Sequence, residues 1–178
     1  MAKAILRKKI LKIRKLNYSN NIKISFDKVF SLLKKNFLLK KTIGGYFPIN
    51  YEIDDLDILR KFEKKNYRIS LPVINKNFDM DFFDYNFKEP LVINKYGIPE
   101  PISKKKIYPD VLLIPIVAFD NKLYRLGYGG GYYDRFIKKL SKKKKFLKIG
   151  LASSSQKINQ VPTDKYDQKL DFIVTNKY

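Results

Sequence analysis

Four of the five residues from 127 to 131 are glycine, and this run joins an apolar stretch to a segment with helical periodicity. Residues 111–119 are apolar throughout and read as a strand buried on both faces, with Pro115 marking an end or an irregularity. After the glycines, Tyr133, Phe136, Ile137 and Leu140 recur at the i, i+3, i+4, i+7 spacing of one helix face. Strand, glycine loop and helix in that order form a phosphate-binding arrangement. Backbone N–H groups converge at the helix start, the helix dipole adds partial positive charge, and missing Cβ atoms let an anion come close. A plain turn rarely needs so much glycine, because each one loses extra entropy on folding. The run is not a Walker loop, since no Gly-Lys-Ser/Thr follows, and not a full dinucleotide fingerprint, since Tyr132 stands where the last glycine belongs. Arg125 and Arg135 flank it, as suits an anion site.

The rest of the chain alternates in the same way. Residues 3–16 predict a basic amphipathic helix, with Leu6, Ile10 and Ile13 on one side and Lys8, Lys9, Lys12 and Lys15 elsewhere. A break over residues 17–21 precedes a second helix carrying Phe26, Val29, Phe30, Leu33 and Phe37. Residues 42–49 predict a strand interrupted by Gly44 and Gly45, and Asp54 is placed to cap a third helix bearing Leu56, Leu59 and Phe62. Residues 67–74 and 80–85 predict strands, residues 86–109 a loop-rich stretch, and residues 146–152 and 172–175 the last two strands. No repeat and no long linker divides the chain, so residues 1–178 are expected to form one domain. Strands alternating with helices indicate an α/β fold with a largely parallel sheet and helices on both faces.

Two absences bound the chemistry. The chain has no cysteine and no histidine, which removes disulfides, thiolate nucleophiles, His-dependent triads and Cys- or His-ligated zinc. Carboxylates, Lys, Arg, Tyr and backbone dipoles remain, with a hard cation on oxygen ligands as the available metal chemistry. The formal net charge of +21 has two readings. One is an anionic partner. The other is a composition rich in Lys, Asn, Ile, Phe and Tyr, and it is favoured because specific phosphate and base recognition uses Arg, which lysine far outnumbers here. No apolar run reaches the roughly 18 residues of a membrane span, and residues 1–16 lack the apolar stretch of a signal peptide, so a cytoplasmic protein is expected.

Among the candidate side chains, Asp134 falls in the first turn after the glycines, where it either offsets the dipole or holds Mg²⁺ against phosphates. Asp164, Asp167 and Asp171 form an acidic cluster that spacing alone assigns to caps and surface charge. Glu52 lies just past a predicted strand end, where ligands of open α/β sheets collect, although an isolated loop Glu is ordinarily surface. Tyr132 and Tyr133 either stack on a planar ring or pack in the core.

Taken together, these residues resemble the 5-formyltetrahydrofolate cyclo-ligase (methenyltetrahydrofolate synthetase) family. The resemblance runs from Lys3 to about Asn176. It is carried by Pro115, Ile116, Val117, Ala118, Phe119 and Asp120 followed by residues 125–135. Support comes from residues 3–7 and 47–52, from Ile149, Gly150, Leu151, Ala152 and Gln156, and from Val161, Pro162, Asp167, Leu170 and Asp171. It implies a Rossmann-like three-layer α/β/α sandwich that converts 5-formyltetrahydrofolate to 5,10-methenyltetrahydrofolate with ATP and Mg²⁺, releasing ADP and phosphate. It further implies that ATP is bound by Lys3, Ala4, Ile5, Leu6 and Arg7 together with Arg125, Leu126, Gly127, Tyr128, Gly129, Gly130, Gly131, Tyr132 and Tyr133. Folate would be lined by Phe47, Glu52, Tyr128, Gly129, Gly130, Gly131 and Tyr132, and Mg²⁺ held by Asp134 and Asp167. Arg125 and Asp134 would act by positioning, with no general base required. Some relatives carry Lys where this chain has Gly130, and His where it has Tyr166. The partners implied are small molecules acting on a monomer, without a specific nucleic acid or a membrane. Two other readings remain open: a nucleic-acid-binding module using residues 3–15 and 104–106, and a nucleotide-binding relative without the folate activity.

Overall fold

The computed structural model describes residues 2–18, 22–36, 38, 41–75 and 78–177. Phe37 and residues 19–21, named above in the second helix and the break before it, lie outside the described residues.

The elements run in the predicted order. Helix α1 (Ala2–Leu16) and helix α2 (Phe26–Lys35) are followed by strand β1 (Thr42–Gly44), helix α3 (Leu56–Lys64), β2 (Arg68–Ile74) and β3 (Met80–Tyr85). Then come β4 (Leu91–Ile93), β5 (Pro99–Pro101), β6 (Lys106–Ile107), β7 (Val111–Pro115), β8 (Ala118–Phe119) and β9 (Arg125–Leu126). Helix α4 (Tyr132–Ser141), β10 (Leu147–Ala152) and β11 (Phe172–Thr175) complete the chain. The main sheet has the order β11-β10-β7-β1-β2-β3-β6. Its first five strands pair in parallel, and β3 and β6 add an antiparallel edge.

Strand β7 shows why the layers form. Val111 and Leu113 point to the face covered by Val29 and Leu33 of α2 and Leu59 and Phe62 of α3. Leu112 and Ile114 point to the other face, against Phe136, Ile137 and Leu140 of α4. All four strand residues are fully buried, as a strand covered by helices on both sides must be. The result is the α/β/α arrangement expected from the residue pattern. Helix α1 stands apart from both layers. Its Ile10 packs with Val117, Ala118, Leu126 and Val161, the antiparallel β8–β9 pair and the loop beside it.

Three expectations need correction. The strand predicted over residues 42–49 stops at Gly44, because the chain then turns so that the Tyr46 N–H meets the buried Asp55 carboxylate at 3.0 Å. The cap of α3 is Asp55 rather than Asp54, and its side chain is spent on Tyr46; Asp54 Oδ1 accepts from the Leu56 N–H at 2.9 Å. Residues 86–109 are not simply loop: β4 and β5 form a hairpin, and β6 extends the sheet. As expected from Pro115, which lacks an N–H to continue the ladder, the apolar run 111–119 splits there, and Val117 starts a new bond to the Leu126 carbonyl at 2.9 Å. No helix among the described residues is long and apolar enough to cross a membrane.

Candidate active site

Strand β1 continues through α3 to β2 on one side, whereas the neighbour on its other side is β7, which leads through α4 to β10. Strand order therefore reverses between β1 and β7, and a crevice outside the carboxyl ends of such strands is where open α/β sheets bind ligands. A cleft of about 870 Å³ lies there. Its walls are Tyr46 and Phe47 after β1, Pro72 and Ile74 of β2, Pro115 of β7, and every residue from 125 to 134.

The glycine run is shaped for an anion. Gly129 has φ +103° and Gly131 φ +66°, backbone that L side chains rarely adopt. Gly131 is the N-cap of α4 and supplies no side chain to the helix start. The carbonyls are turned to guanidiniums: Gly127 O accepts from Arg7 Nε at 2.7 Å, and Gly130 O from Arg135 Nη2 at 2.6 Å. Among the described residues no protein acceptor takes the N–H groups of residues 127–131. Unpaired backbone donors at a helix N-terminus, in a cleft, are an anion site in wait. Arg135 itself is used on carbonyls, with two bonds to Phe78 O at 2.9 and 2.6 Å.

Helix α1 closes one wall. Lys3 and Arg7 are one turn apart, so both reach the cleft. Ala4, Ile5 and Leu6, predicted with them, do not line it. Helical rotation carries Ile5 into solvent and turns Leu6 onto the β8–β9 pair. Lys3 Nζ lies 2.6 Å from Asp167 Oδ2 and 2.8 Å from Asp164 Oδ2. Burial works against its charge, but the two carboxylates outweigh this and raise its pKa.

Two carboxylates sit beside these donors. Asp134 Oδ1 accepts from Arg125 Nη2 at 2.8 Å and from the Gln168 N–H at 3.0 Å, while Arg125 Nη1 holds Gln168 O at 2.8 Å. Asp167 Oδ2 takes Lys3 and the Asp164 N–H. Asp134 Oδ2 and Asp167 Oδ1 receive no hydrogen bond among the described residues. Both side chains line the cleft. Among the described residues no group of three or more His, Cys, Asp and Glu gathers as a self-contained metal cage. Mg²⁺ does not require one: it keeps waters and takes one or two carboxylates plus substrate phosphates. The donor set fits that ion.

The opposite wall is drier. Glu52 follows a turn in which Asn50 and Tyr51 have φ +48° and +63°, the signs of a type I′ turn, closed by Glu52 N–H to Ile49 O at 3.0 Å. Glu52 Oε2 in turn accepts from the Ile49 N–H at 2.8 Å. Burial pushes the Glu52 carboxyl up to about 7, against the pull of the Ile49 N–H, the Arg14 charge and the Tyr128 hydroxyl. Burial and Glu52 push Tyr128 up to about 12. Asp55 lies fully buried behind, and the half-buried Tyr133 lines the cleft with its hydroxyl turned inward; each is raised chiefly by burial, and neither the Tyr133 hydroxyl nor Asp55 Oδ1 has a hydrogen-bond partner among the described residues. Tyr132 sits at the mouth, with its ring 6.3 Å from that of Phe78.

Sequence reasoning missed three contributors. Arg14 is buried beneath Tyr128, and its sequence position, one heptad after Arg7 on a predicted amphipathic helix, was the available signal. Tyr96, Ile98 and Glu100 reach the cleft from the β4–β5 hairpin, and Tyr96 hydrogen-bonds Tyr132 across the mouth. Asn94 and Gly97 were the turn signal there, with Gly97 N–H closing on Asn94 O at 3.0 Å. Asp164 joins Asp167 on Lys3, which charge spacing alone did not reveal.

Comparison with known proteins gives the family of the chain. The model of the 5-formyltetrahydrofolate cyclo-ligase family matches residues 1–176. A 5-formyltetrahydrofolate cyclo-ligase of Haemophilus influenzae is 34% identical over 138 residues, covering 73% of each chain. One from Mycoplasma pneumoniae is 33% identical over 184 residues, covering 99% of this chain and all of the other. The solved structure of Aquifex aeolicus 5,10-methenyltetrahydrofolate synthetase superposes with a TM-score of 0.79 at 33% identity, over all of this chain and 91% of that one.

Proposed function

The chain belongs to the 5-formyltetrahydrofolate cyclo-ligase family, and we propose that it cyclises 5-formyltetrahydrofolate to 5,10-methenyltetrahydrofolate with ATP and Mg²⁺ in the cleft between α1 and the glycine loop. The observation that carries the reading is the set of unpaired N–H groups at residues 127–131, flanked by Lys3 and Arg7. These donors suit a triphosphate, and the roughly 870 Å³ beside them leaves space for a pterin against Phe47, Glu52, Tyr128 and Tyr132.

The reaction asks for alignment more than for proton transfer. The formyl oxygen attacks the γ-phosphate, ADP leaves, N10 adds to the activated carbon and gives up its proton, and the oxygen departs on phosphate, which can carry that proton away. An amide-type oxygen has no proton to lose, so a chain without histidine or cysteine is equipped for the step. Lys3, Arg7 and the loop amides hold the phosphates in line. Arg125 fixes Asp134 at 2.8 Å, keeping that carboxylate in place beside the loop. Asp134 and Asp167 would hold Mg²⁺, which supplies charge neutralisation at the phosphates when bound. Glu52 offers an acceptor to the donor edge of the pterin in a wall that excludes water. Ala4, Ile5 and Leu6 serve by carrying Lys3 and Arg7 on one helical turn.

The test is direct. The methenyl product has a near-ultraviolet absorbance band that the substrate lacks. With purified protein that band grows only when 5-formyltetrahydrofolate, ATP and Mg²⁺ are all present. Growth without ATP, or none with all three, rejects the proposal.

A further inference from the structure

Arg14 is buried, and its hydrogen bonds go to two carbonyls and a hydroxyl, not to a carboxylate. A guanidinium in such a place is costly unless its donors are placed to some purpose. Nη1 reaches Ile116 O at 3.2 Å, at the point where β7 gives way to β8. Nη2 reaches Asn50 O at 2.6 Å and the Tyr128 hydroxyl. The guanidinium carbon lies 5.5 Å from the Tyr128 ring centroid. A rigid planar fork thus joins three segments far apart in sequence: the strained turn before Glu52, the end of the central strand, and the glycine loop.

The direction of donation follows. The Tyr128 oxygen accepts from Arg14, which leaves its own proton to turn toward the Glu52 carboxyl beside it. Arg14 also secures the carbonyl of Asn50, one of two successive residues in left-handed backbone, a conformation that drifts unless its surroundings fix it. We infer that Arg14 is the positioning residue of the folate wall, holding the Glu52 turn and the Tyr128 hydroxyl in one arrangement so that the carboxylate faces the pterin. This rests on reading the cleft as the folate site.

Glu52 is faced by Arg14 from α1, Tyr128 from the glycine loop, Tyr133 from α4, Tyr46 after β1 and Asp55 at the start of α3. Arg14 is the cation among them. Its loss makes the Glu52 carboxylate harder to form, so any step that needs that carboxylate shifts to higher pH.

The experiment compares Arg14→Met, Arg14→Lys, Tyr128→Phe and the Met/Phe double variant. Arg14→Met is expected to raise KM for 5-formyltetrahydrofolate about ten-fold with kcat and KM for ATP within about two-fold, and to move the acid limb of kcat/KM upward by about one pH unit. Tyr128→Phe moves both in the same direction. The double variant falls short of the product of the two single effects, because both act in part through the Arg14–Tyr128 contact. Arg14→Lys, charged but unable to fork, recovers the pH limb more than KM. An unchanged folate KM, an unmoved acid limb, or effects that multiply in the double variant overturn the inference. A ¹³C carboxyl titration of Glu52 in the ligand-free protein separates this from the functional reading. An upward move in Arg14→Met, or in Tyr128→Phe should the former not fold, supports the positioning role even if no turnover is found. An unmoved titration refutes it.

Discussion

The two walls of the cleft handle charge in opposite ways. On the phosphate wall Lys3 pairs at short range with Asp164 and Asp167 and Arg125 with Asp134, while Arg7 and Arg135 rest on loop carbonyls. On the pterin wall Glu52 has no ion pair at that range among the described residues, is buried, and rises to about 7. The first wall is ready to exchange partners. In the proposed complex Lys3 and Arg7 would turn to phosphate oxygens and Asp134 and Asp167 to Mg²⁺. The second wall holds one acceptor out of water at a cost to the ligand-free fold, a cost that the proposed docking of a donor edge would recover. Exchange suits a triphosphate that arrives with its own cation; desolvation suits recognition of a neutral ring.

The largest effect expected from disturbing this contrast is on the phosphate wall. Asp134→Asn keeps an acceptor for Arg125 but removes the charge, so turnover should fall by about a thousand-fold or more while the melting temperature moves little. Steady-state rates with a thermal melt check it, and activity near that of the parent denies Asp134 its role.

Glu52→Gln comes next. Folate kcat/KM should drop roughly a hundred-fold, and the stability of the ligand-free protein should change its pH dependence. Folding raises the pKa of Glu52 above its ordinary 4.5, so folding favours the protonated carboxyl. The penalty is absent below the unfolded value, grows as pH rises, and is complete above about 7. It is on the order of 3 kcal/mol. Denaturant unfolding from pH 4.5 to 7.5 should therefore show a decline in the parent that flattens in the variant. Equal slopes would mean that Glu52 is not buried as described.

Gly131→Ala tests the loop that both walls share. Left-handed backbone at φ +66° costs an alanine about 1–2 kcal/mol, and its Cβ would lie 2.7 Å from Arg135 Nη1. The expected result is a modest loss of stability and a rise of about ten-fold in KM for ATP, larger than the change for folate. The smallest effect belongs to the exposed lysines after α4. Replacing Lys142 and Lys145 by alanine should alter kcat/KM for either substrate by less than about two-fold, whereas a steep loss would show that the +21 charge serves capture of anions.

The phosphate wall was the more legible in sequence, for a physical reason. Glycines with positive φ and an acid in a helix's first turn are local requirements, visible in adjacent residues. The layers were legible for the same reason, since alternation in β7 and helical spacing in α4 are short-range patterns. The pterin wall is assembled from distant segments. Arg14 meets Tyr128 across 114 positions, and Glu52 is buried with Arg14, Tyr46, Tyr128 and Tyr133 around it, from four separate segments. Nothing adjacent to Arg14 in the chain separates it from the exposed basic residues of α1. The β4–β5 hairpin escaped notice because its strands are three residues long, too short for alternation to register. Beyond residues 3 and 7, the matched segment 3–7 reached past the cleft because a contiguous motif does not say which side of a helix faces inward.

The central claim is that the backbone amides of residues 127–131 grip the nucleotide's phosphates. It is tested most directly by ¹⁵N–¹H spectra of the protein titrated with a non-hydrolysable ATP analogue and Mg²⁺. The account predicts that the Gly127, Gly129, Gly130 and Gly131 amides show the largest downfield proton shifts, saturating together with Lys3 and Arg7. Saturable binding that leaves those glycine amides unmoved would contradict it.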